Sequence, residues 1–576
     1  MNTVLRVNMT NMSCTYETLP ELLQGLGGRG LTSSLVGLEV PPKCDALGPE
    51  NKLVIAPGML SGTACPNSGR VSLGGKSPLT GGIKESNVGG NGAFKIARIG
   101  LAVIIIEGSP AKGGLHVLSI KKGSAEILPA DDLKGMGTYA AVQAIAARFG
   151  GRHAVFCIGP AGEMQLQSAS IQVTDPDGYP CRAAGRGGLG ALMGSKGLKA
   201  IVVDDTDGAA APVLNPELFK TGQKKVADAI LSHPFTGQGM PALGTAMVVS
   251  LMNAVGGFPA LNARVGTYEK WEQISGEKMA ELIGSRGGKT THAGCSTCII
   301  RCSNVFVDTD KKYVTSGLEY ETIWALGGMC DVPDLDAIAR FDYLCDDLGV
   351  DTMNTGCAIA VAMEAGIKKF GDAAGALELV GEIAKGSEIG KLIGHGPAAV
   401  GARYGIARVP VVKNQSIAGY DPRAVQSMGV TYAMSPMGAD HTAGWTVGAC
   451  LEAMGGKLDP LSPDGQVACS RDIQIHTAAA DCTGLCQFAG FPLNDIPAGG
   501  EGLHEMLQAK YGTSFGPQYM AALGKRVLRT ERDFNQRAGL TKDDDRLPEF
   551  FYREALPPHN KPFLVKNEDM DKLFDF

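Results

Sequence analysis

Short apolar, β-branched runs punctuated by glycine and polar turns mark the first part of this chain and give way to helical periodicity beyond about residue 207. Short β-branched runs recur between glycine turns at 52–56, 100–107, 114–120, 153–158 and 199–204, and each predicts a strand. One amphipathic run among them, 139–149, predicts a helix. The stretch GAAAPVLNP at 208–216 reads as a linker. After it, apolar residues return every third and fourth position, predicting helices over 217–231, 334–348, 352–365 and 373–384. A weaker break falls near 409–414, and no repeat of fixed period or low-complexity tract is visible. The pattern predicts an α+β protein: a β-rich N-terminal domain over 1–207, then two mostly helical domains over 208–412 and 413–576.

A chain of 576 residues exceeds what one core supports, which agrees with several domains. Its 79 glycines sit among varied apolar residues, a pattern of tight turns and close backbone approaches rather than low complexity. The net charge of −6, without a basic run, argues against a nucleic-acid groove. The first residues lack the layout of a secretion signal, and the longest apolar runs, such as GLAVIIIE, are of strand length. A soluble, cytoplasmic protein is expected.

Fifteen cysteines are many for such a protein, and a disulfide framework does not suit a reducing compartment. Cys14, Cys44, Cys65, Cys157 and Cys450 read as small buried hydrophobes. The segment His292-Ala-Gly-Cys295-Ser-Thr-Cys298-Ile-Ile-Arg-Cys302 is different. Its C-x2-C-x3-C spacing can wrap a short loop around one metal centre, with a fourth thiolate from elsewhere. A four-iron cluster, a structural zinc site and chance spacing all remain open on spacing alone. A buried helix carrying Cys298 and Cys302 one turn apart is the plain alternative, but it leaves Gly294, Ser296 and Thr297 unexplained.

Two further segments resemble each other: Asp346-Asp-Leu-Gly349-Val-Asp351 and Asp481-Cys-Thr-Gly484-Leu-Cys486. Both read D-x-x-G-[aliphatic]-[D/C] at or near a helix end. A glycine after a helix can present N–H groups to a ligand while the carboxylate accepts donors from a heterocycle. One such hexamer is common; two suggest a pair of equivalent ligands, and the second ends in a natural fourth thiolate.

With C-x2-C-x3-C, these paired motifs resemble the aldehyde:ferredoxin oxidoreductase family of tungsten enzymes. The resemblance runs along nearly the whole chain: Ser68-Gly-Arg70, Gly75-Lys-Ser-Pro78-Leu-Thr-Gly81, Ser86-Asn87-Val-Gly89-Gly90, Arg182-Ala183-Ala-Gly185-Arg186-Gly187-Gly188-Leu-Gly190, Glu319-Tyr-Glu321-Thr322, Gly438-Ala-Asp440-His441-Thr442, and a tail from Asn535-Gln-Arg537 to Asp545-Arg-Leu-Pro548. It implies a tungsten atom (molybdenum being the lesser alternative) held by two pterins, with magnesium joining their phosphates, beside a [4Fe–4S] cluster. By the same resemblance Cys295, Cys298, Cys302 and Cys486 hold the cluster. Asp346 and Asp481 contact the two pterins, supported by Asp351 and Leu485. Arg70, Arg182 and Arg186, with Ala183, Gly187 and Gly188, hold phosphate or bridge pterin to cluster, and Asn87 lies near the magnesium. Arginine forks and glycine-rich backbone suit anionic groups; by itself, the Arg186 segment reads equally well as a tight turn with a solvated arginine.

The implied reaction interconverts aldehydes and carboxylic acids, with His441 and one of Glu319 and Glu321, preferably Glu321, managing protons. A lone histidine beside Asp440 is otherwise a structural residue. No dinucleotide-binding fingerprint is present, so the expected electron partner is ferredoxin or a small iron–sulfur subunit, in a homo- or hetero-oligomer. Two rivals stand beside this reading. One is a reductase of aromatic thioesters, in which Cys330 or Cys357 ligates the metal. The other is a non-catalytic iron–sulfur or zinc subunit.

Overall fold

Both faces of the N-terminal strands are apolar because both are covered. The computed structural model describes residues 2–576 and folds as α+β, strands first and helices after. Two six-stranded sheets dominate residues 3–203. The first runs in the order Ser13–Thr18, Thr3–Asn8, Leu101–Glu107, Leu53–Pro57, Val71–Lys76, Ile83–Val88. The second runs Ser124–Pro129, His116–Lys121, Leu198–Val203, Ala154–Cys157, Ile171–Val173, Arg182–Ala184. Leu5, Val7, Ile55, Ile104 and Ile106 of the first interdigitate with Leu118, Ile120, Phe156, Ile171 and Ile201 of the second. Alternate residues point the other way: Val4, Val54, Val103 and Ile105 pack under the helix Gly28–Glu39, and Val117, Val155 and Val202 under the helix Thr138–Phe149. With a side-chain period of two, double coverage turns alternation into runs such as LAVIIIE.

The two sheets are copies of one topology. Each begins with a hairpin, continues through a 3-10 turn and a twelve-residue helix, and returns through three antiparallel strands and a short helix to a last strand parallel to its first. Thr3–Asn8 pairs in parallel with Leu101–Glu107 as His116–Lys121 does with Leu198–Val203. No repeat was legible in sequence, because a shared topology needs only the apolar period and the turns to recur, not the residues.

Beyond the sheets, the helices Tyr320–Cys330, Leu335–Leu348, Thr352–Glu364 and Gln426–Met434 contribute to a large apolar core around Trp324, Phe341 and Tyr432. A second core joins Phe219, Val226 and Ile230 of the helix Pro216–Ser232 to Ile475, Leu507 and Leu523 much later in the chain. A three-stranded sheet, Lys289–His292, Ser303–Val307 and Tyr313–Ser316, carries the loop with the cysteine triplet. Cys44, Cys65, Cys157 and Cys450 are buried as expected; Cys14 is not, because it sits on the outer strand Ser13–Thr18, where only one edge is paired. Among the described residues no helix is long and apolar enough to cross a membrane.

Candidate active site

Each D-x-x-G motif ends a helix. Gly349 closes Leu335–Leu348 at φ 68° and Gly484 closes Gln466–Thr483 at φ 83°, left-handed conformations that glycine adopts without strain. Each turn rests on the same point of one N-terminal repeat. Arg70 N–H donates to the Gly484 carbonyl at 3.1 Å, and Ser170 N–H to that of Gly349 at 2.9 Å. A Cβ on Gly58 would stand 2.1 Å from the Gly484 backbone, and one on Gly159 2.2 Å from Leu348 O. The helix starts also correspond. A Cβ on Gly28 would meet Asp481 O at 2.1 Å, while the Thr138 hydroxyl donates to Asp346 O at 2.9 Å. Two equivalent cradles result, one on each sheet.

The carboxylates differ. Asp481 accepts from Arg29 Nη1 at 3.2 Å, and Arg29 is clamped by Glu531, which takes Nε and Nη2 at 2.9 Å each. Burial raises Asp481 above the ordinary aspartate range, against the pull of Arg29 and Arg70. Asp346 is buried further from any cation; burial and Asp342 push it well up, with only Arg182 opposing. Leu485 packs with Met59 and Cys482 behind the Asp481 turn.

The thiols gather behind that same turn. Asn67 knits the segments together: its carbonyl accepts from Cys486 N–H at 2.8 Å, its side-chain oxygen from Ile299 N–H at 3.1 Å, and its amide nitrogen reaches Cys298 Sγ at 3.6 Å. Cys295 bridges to Gly90, and Cys302 to His292. The loop 295–302 is not a helix; Thr297 and Arg301 take positive φ, and Arg301 N–H donates to Cys298 Sγ at 3.2 Å. Burial pushes Cys298 up to about 12, with Cys295 and Cys486 adding, and Cys302 rises further through burial, Glu319 and the other three thiols. Thiols close enough for their neighbours to raise Cys298, Cys302 and Cys486 suit a cation that would displace their protons. Arg70, holding Asn87 Oδ1 at 2.5 Å and the Asn87 carbonyl at 3.2 Å, counteracts burial in both Cys486 and Asp481, so its charge lies between cradle and thiols.

Beside the Asp346 cradle lies a cavity of about 190 Å³. Asn87, Ala183, Arg186, Asp346, Asp351 and His441 line it, together with Lys84, Glu85 and Asp440. Arg186 is less free than an anion site requires: it donates to Ala439 O at 2.8 Å, to Ser416 Oγ at 2.9 Å and O, and to Asp351 at 3.4 Å. Gly187 and Gly188, at φ 87° and 76°, turn the chain into the helix Leu189–Ser195. Lys84 pairs with Asp440, whose carboxyl burial would raise but Lys84, Arg186 and His441 hold well below the aspartate range.

Asp440 caps the turn that presents His441. His441 Nε2 lies 3.2 Å from Glu321 Oε1, and Tyr420 donates to the same oxygen at 3.0 Å. Burial raises Glu321, but His441 and these hydrogen bonds outweigh it and leave the carboxylate below the ordinary range. His441 Nδ1 is buried without a hydrogen-bond partner among the described residues. Glu319 sits elsewhere, bound to Arg182 at 3.3 Å and the Thr245 hydroxyl at 2.6 Å. Arg182 also holds Ser303 Oγ at 2.6 Å, flat against Gly294 and Gly317. Arg29, Asn67, Lys84 and Tyr420 escaped sequence reading; Asn67 stands one place before Ser68-Gly-Arg70, and the others lie in no local pattern.

Two family models cover this architecture: the N-terminal domain of aldehyde ferredoxin oxidoreductase matches residues 4–205, and its domains 2 and 3 match 221–575. The chain belongs to the aldehyde ferredoxin oxidoreductase family. The tungsten-containing aldehyde ferredoxin oxidoreductase of Thermococcus kodakarensis is 34% identical over 98% of this chain and 94% of its own length. The protein of the same description from Pyrococcus furiosus is 33% identical over 98% and 94%. The fold is shared with an active-site complex of benzoyl coenzyme A reductase, at TM-score 0.78 and 20% identity, covering 99% of this chain and 96% of that one. Membership makes the chain an oxidoreductase of this family.

Proposed function

We propose that this chain is the catalytic subunit of a tungsten–pterin enzyme that interconverts aldehydes and carboxylic acids, passing electrons through a [4Fe–4S] cluster to ferredoxin or a partner subunit. The observation that carries the reading is the pair of equivalent cradles, one opening on a cavity lined by His441 and the other backed by four thiols. The residues fit the groups: two carboxylates at glycine-closed turns for two heterocycles, Arg70 for phosphate charge because its partner Asn87 is neutral, Asn87 for magnesium, and Cys295, Cys298, Cys302 and Cys486 for the cluster. Ferredoxin is proposed from the description of the relatives.

Aldehyde and water give acid, two protons and two electrons. Tungsten, when bound, supplies Lewis acidity and accepts the electron pair. The protein handles protons and position. Glu321, held below the ordinary carboxylate range by His441 and Tyr420, accepts from His441 Nε2–H; this leaves Nδ1, the buried nitrogen without a partner, to take a proton from water or aldehyde while Nε2 passes its own to Glu321. Glu319, committed to Arg182 and Thr245, is given no part in proton transfer. Apolar walls around Tyr420 and Trp445 keep bulk water from the pair.

The aromatic-thioester reading requires a cysteine at the metal. Cys330 and Cys357 are fully buried in the helical core, and neither lines the cavity. Elemental analysis of anaerobically purified protein tests the proposal. About one tungsten and four irons per chain, with aldehyde-dependent dye reduction, supports it. Zinc, or iron without tungsten and pterin, sinks it.

A further inference from the structure

Superimposing the two repeats by topology places Gly28-Arg29 of one helix start on Thr138-Tyr139 of the other. The position that faces the cradle carboxylate is therefore a cation on one side and a phenol on the other. Arg29 reaches Asp481 at 3.2 Å and is anchored by Glu531, which Ser33 also holds at 2.8 Å. Tyr139 instead stacks on Tyr343 and contacts Tyr313, and its N–H goes to Asp347 rather than to Asp346. Asp346 makes no side-chain hydrogen bond or ion pair with any described residue.

We propose that Arg29 is a positioning residue that makes the two cradles unlike: Asp481 meets its heterocycle as a carboxylate, an acceptor only, and Asp346 as a neutral carboxylic acid that can also donate. This rests on the reading of the cradles as pterin sites and adds to it that the two pterins are held with opposite hydrogen-bond polarity at one edge. The polarised, charge-compensated side is the one backed by Cys486 and Arg70.

The groups facing each carboxyl agree. Around Asp346 stand Asp342 and Asp347 on its own helix, Tyr139, Tyr313, Cys181 and Cys345, with Arg182 the cation that opposes them among the described residues. Arg182 is itself engaged by Glu319 and Ser303. Around Asp481 stand Arg29 and Arg70 against Glu531, Glu85 and Cys482. Burial raises both carboxyls, and the cation-poor side further. A second carboxylate beside an uncompensated one is the arrangement that keeps a proton.

The test is infrared difference spectroscopy on holoenzyme at neutral pH, with tungsten and pterin quantified in each sample. Asp346→Asn should remove a protonated carboxyl C=O band and Asp481→Asn a carboxylate band. The double variant R29M/E531M deletes both charges of the buried pair and so spares folding the cost of a lone charge. It should convert Asp481 to the acid and add a C=O band, whereas Tyr139→Phe should add none. The same band type lost from both aspartate variants, or no new band in R29M/E531M, overturns the proposal. If an aspartate variant loses pterin, R29M/E531M and Tyr139→Phe decide the matter alone. A wild-type protein without tungsten and pterin instead fails the functional reading on which this rests.

Discussion

His441 Nε2 and Glu321 Oε1 lie 3.2 Å apart although 120 residues separate them in the chain, and His441 lines the cavity beside Asp346. Glu319, two residues from Glu321, faces Arg182 instead, because Glu319 precedes the helix Tyr320–Cys330 and Glu321 lies in its first turn. The two glutamates, adjacent in the motif, thus take up separate surroundings.

Glu321→Gln and His441→Asn should each lower kcat for aldehyde oxidation by about 10²–10⁴, the usual scale for losing an acid–base group. Tungsten and iron content should stay at the wild-type level. Steady-state dye reduction beside metal analysis checks both, and near-normal turnover would remove the pair from the reaction.

Tyr420→Phe should have a smaller effect on rate and a distinct one on pH. Burial already works to raise Glu321, and the Tyr420 hydroxyl is one of the donors holding it down. Without that donor the carboxylate protonates more easily, so the acid limb of kcat/KM should move upward by about one pH unit, from a charged hydrogen bond of about 1.5–3 kcal/mol. An unchanged limb would mean that another group sets it.

Glu85 makes a stability prediction. Burial and Asp481 raise it from 4.5 to about 7, against Arg29. A carboxyl raised on folding contributes fully below its unfolded value and loses that contribution as pH rises through its folded one. The window is therefore pH 4.5 to about 7. Cofactor-free protein should be less stable at pH 8 than at pH 5 through this group, by on the order of 3 kcal/mol. Glu85→Gln should flatten that slope in urea titrations at the two pH values.

Asn67→Ala should loosen the thiol cage. It leaves Ile299 N–H without its 3.1 Å partner and removes the amide beside Cys298 Sγ. A stability loss of about 1–3 kcal/mol is expected from the unpaired buried donor. Iron retained through anaerobic purification should fall well below the wild-type level, read by iron assay and the reduced-cluster electron paramagnetic resonance signal. Full retention would reduce Asn67 to a spectator.

The sequence by itself determined what is local. The change from short β-branched runs to helical period predicted strands and then helices, and the strands at 100–107 and 199–204 and the helix at 139–149 formed within two residues of their expected ends. The D-x-x-G turns were legible because helix, glycine cap and carboxylate all fall within six residues. The spacing of Cys295, Cys298 and Cys302 suited a short loop or a helix turn, and the loop formed.

Tertiary structure decided everything that depends on distance in space. Arg29 stands 452 residues from Asp481 and 502 from Glu531, and no periodicity connects them. The internal duplication was invisible for the complementary reason: strand order is set by which apolar edges pair, and many residues satisfy the same pairing. The separate surroundings of Glu321 and Glu319, the engagement of Arg186 by backbone carbonyls, and the unequal surroundings of Asp346 and Asp481 follow from packing between segments far apart in the chain. Charges and hydrogen bonds act through space over a few ångströms, whereas spacing along a chain constrains geometry only within a turn or two of the same element.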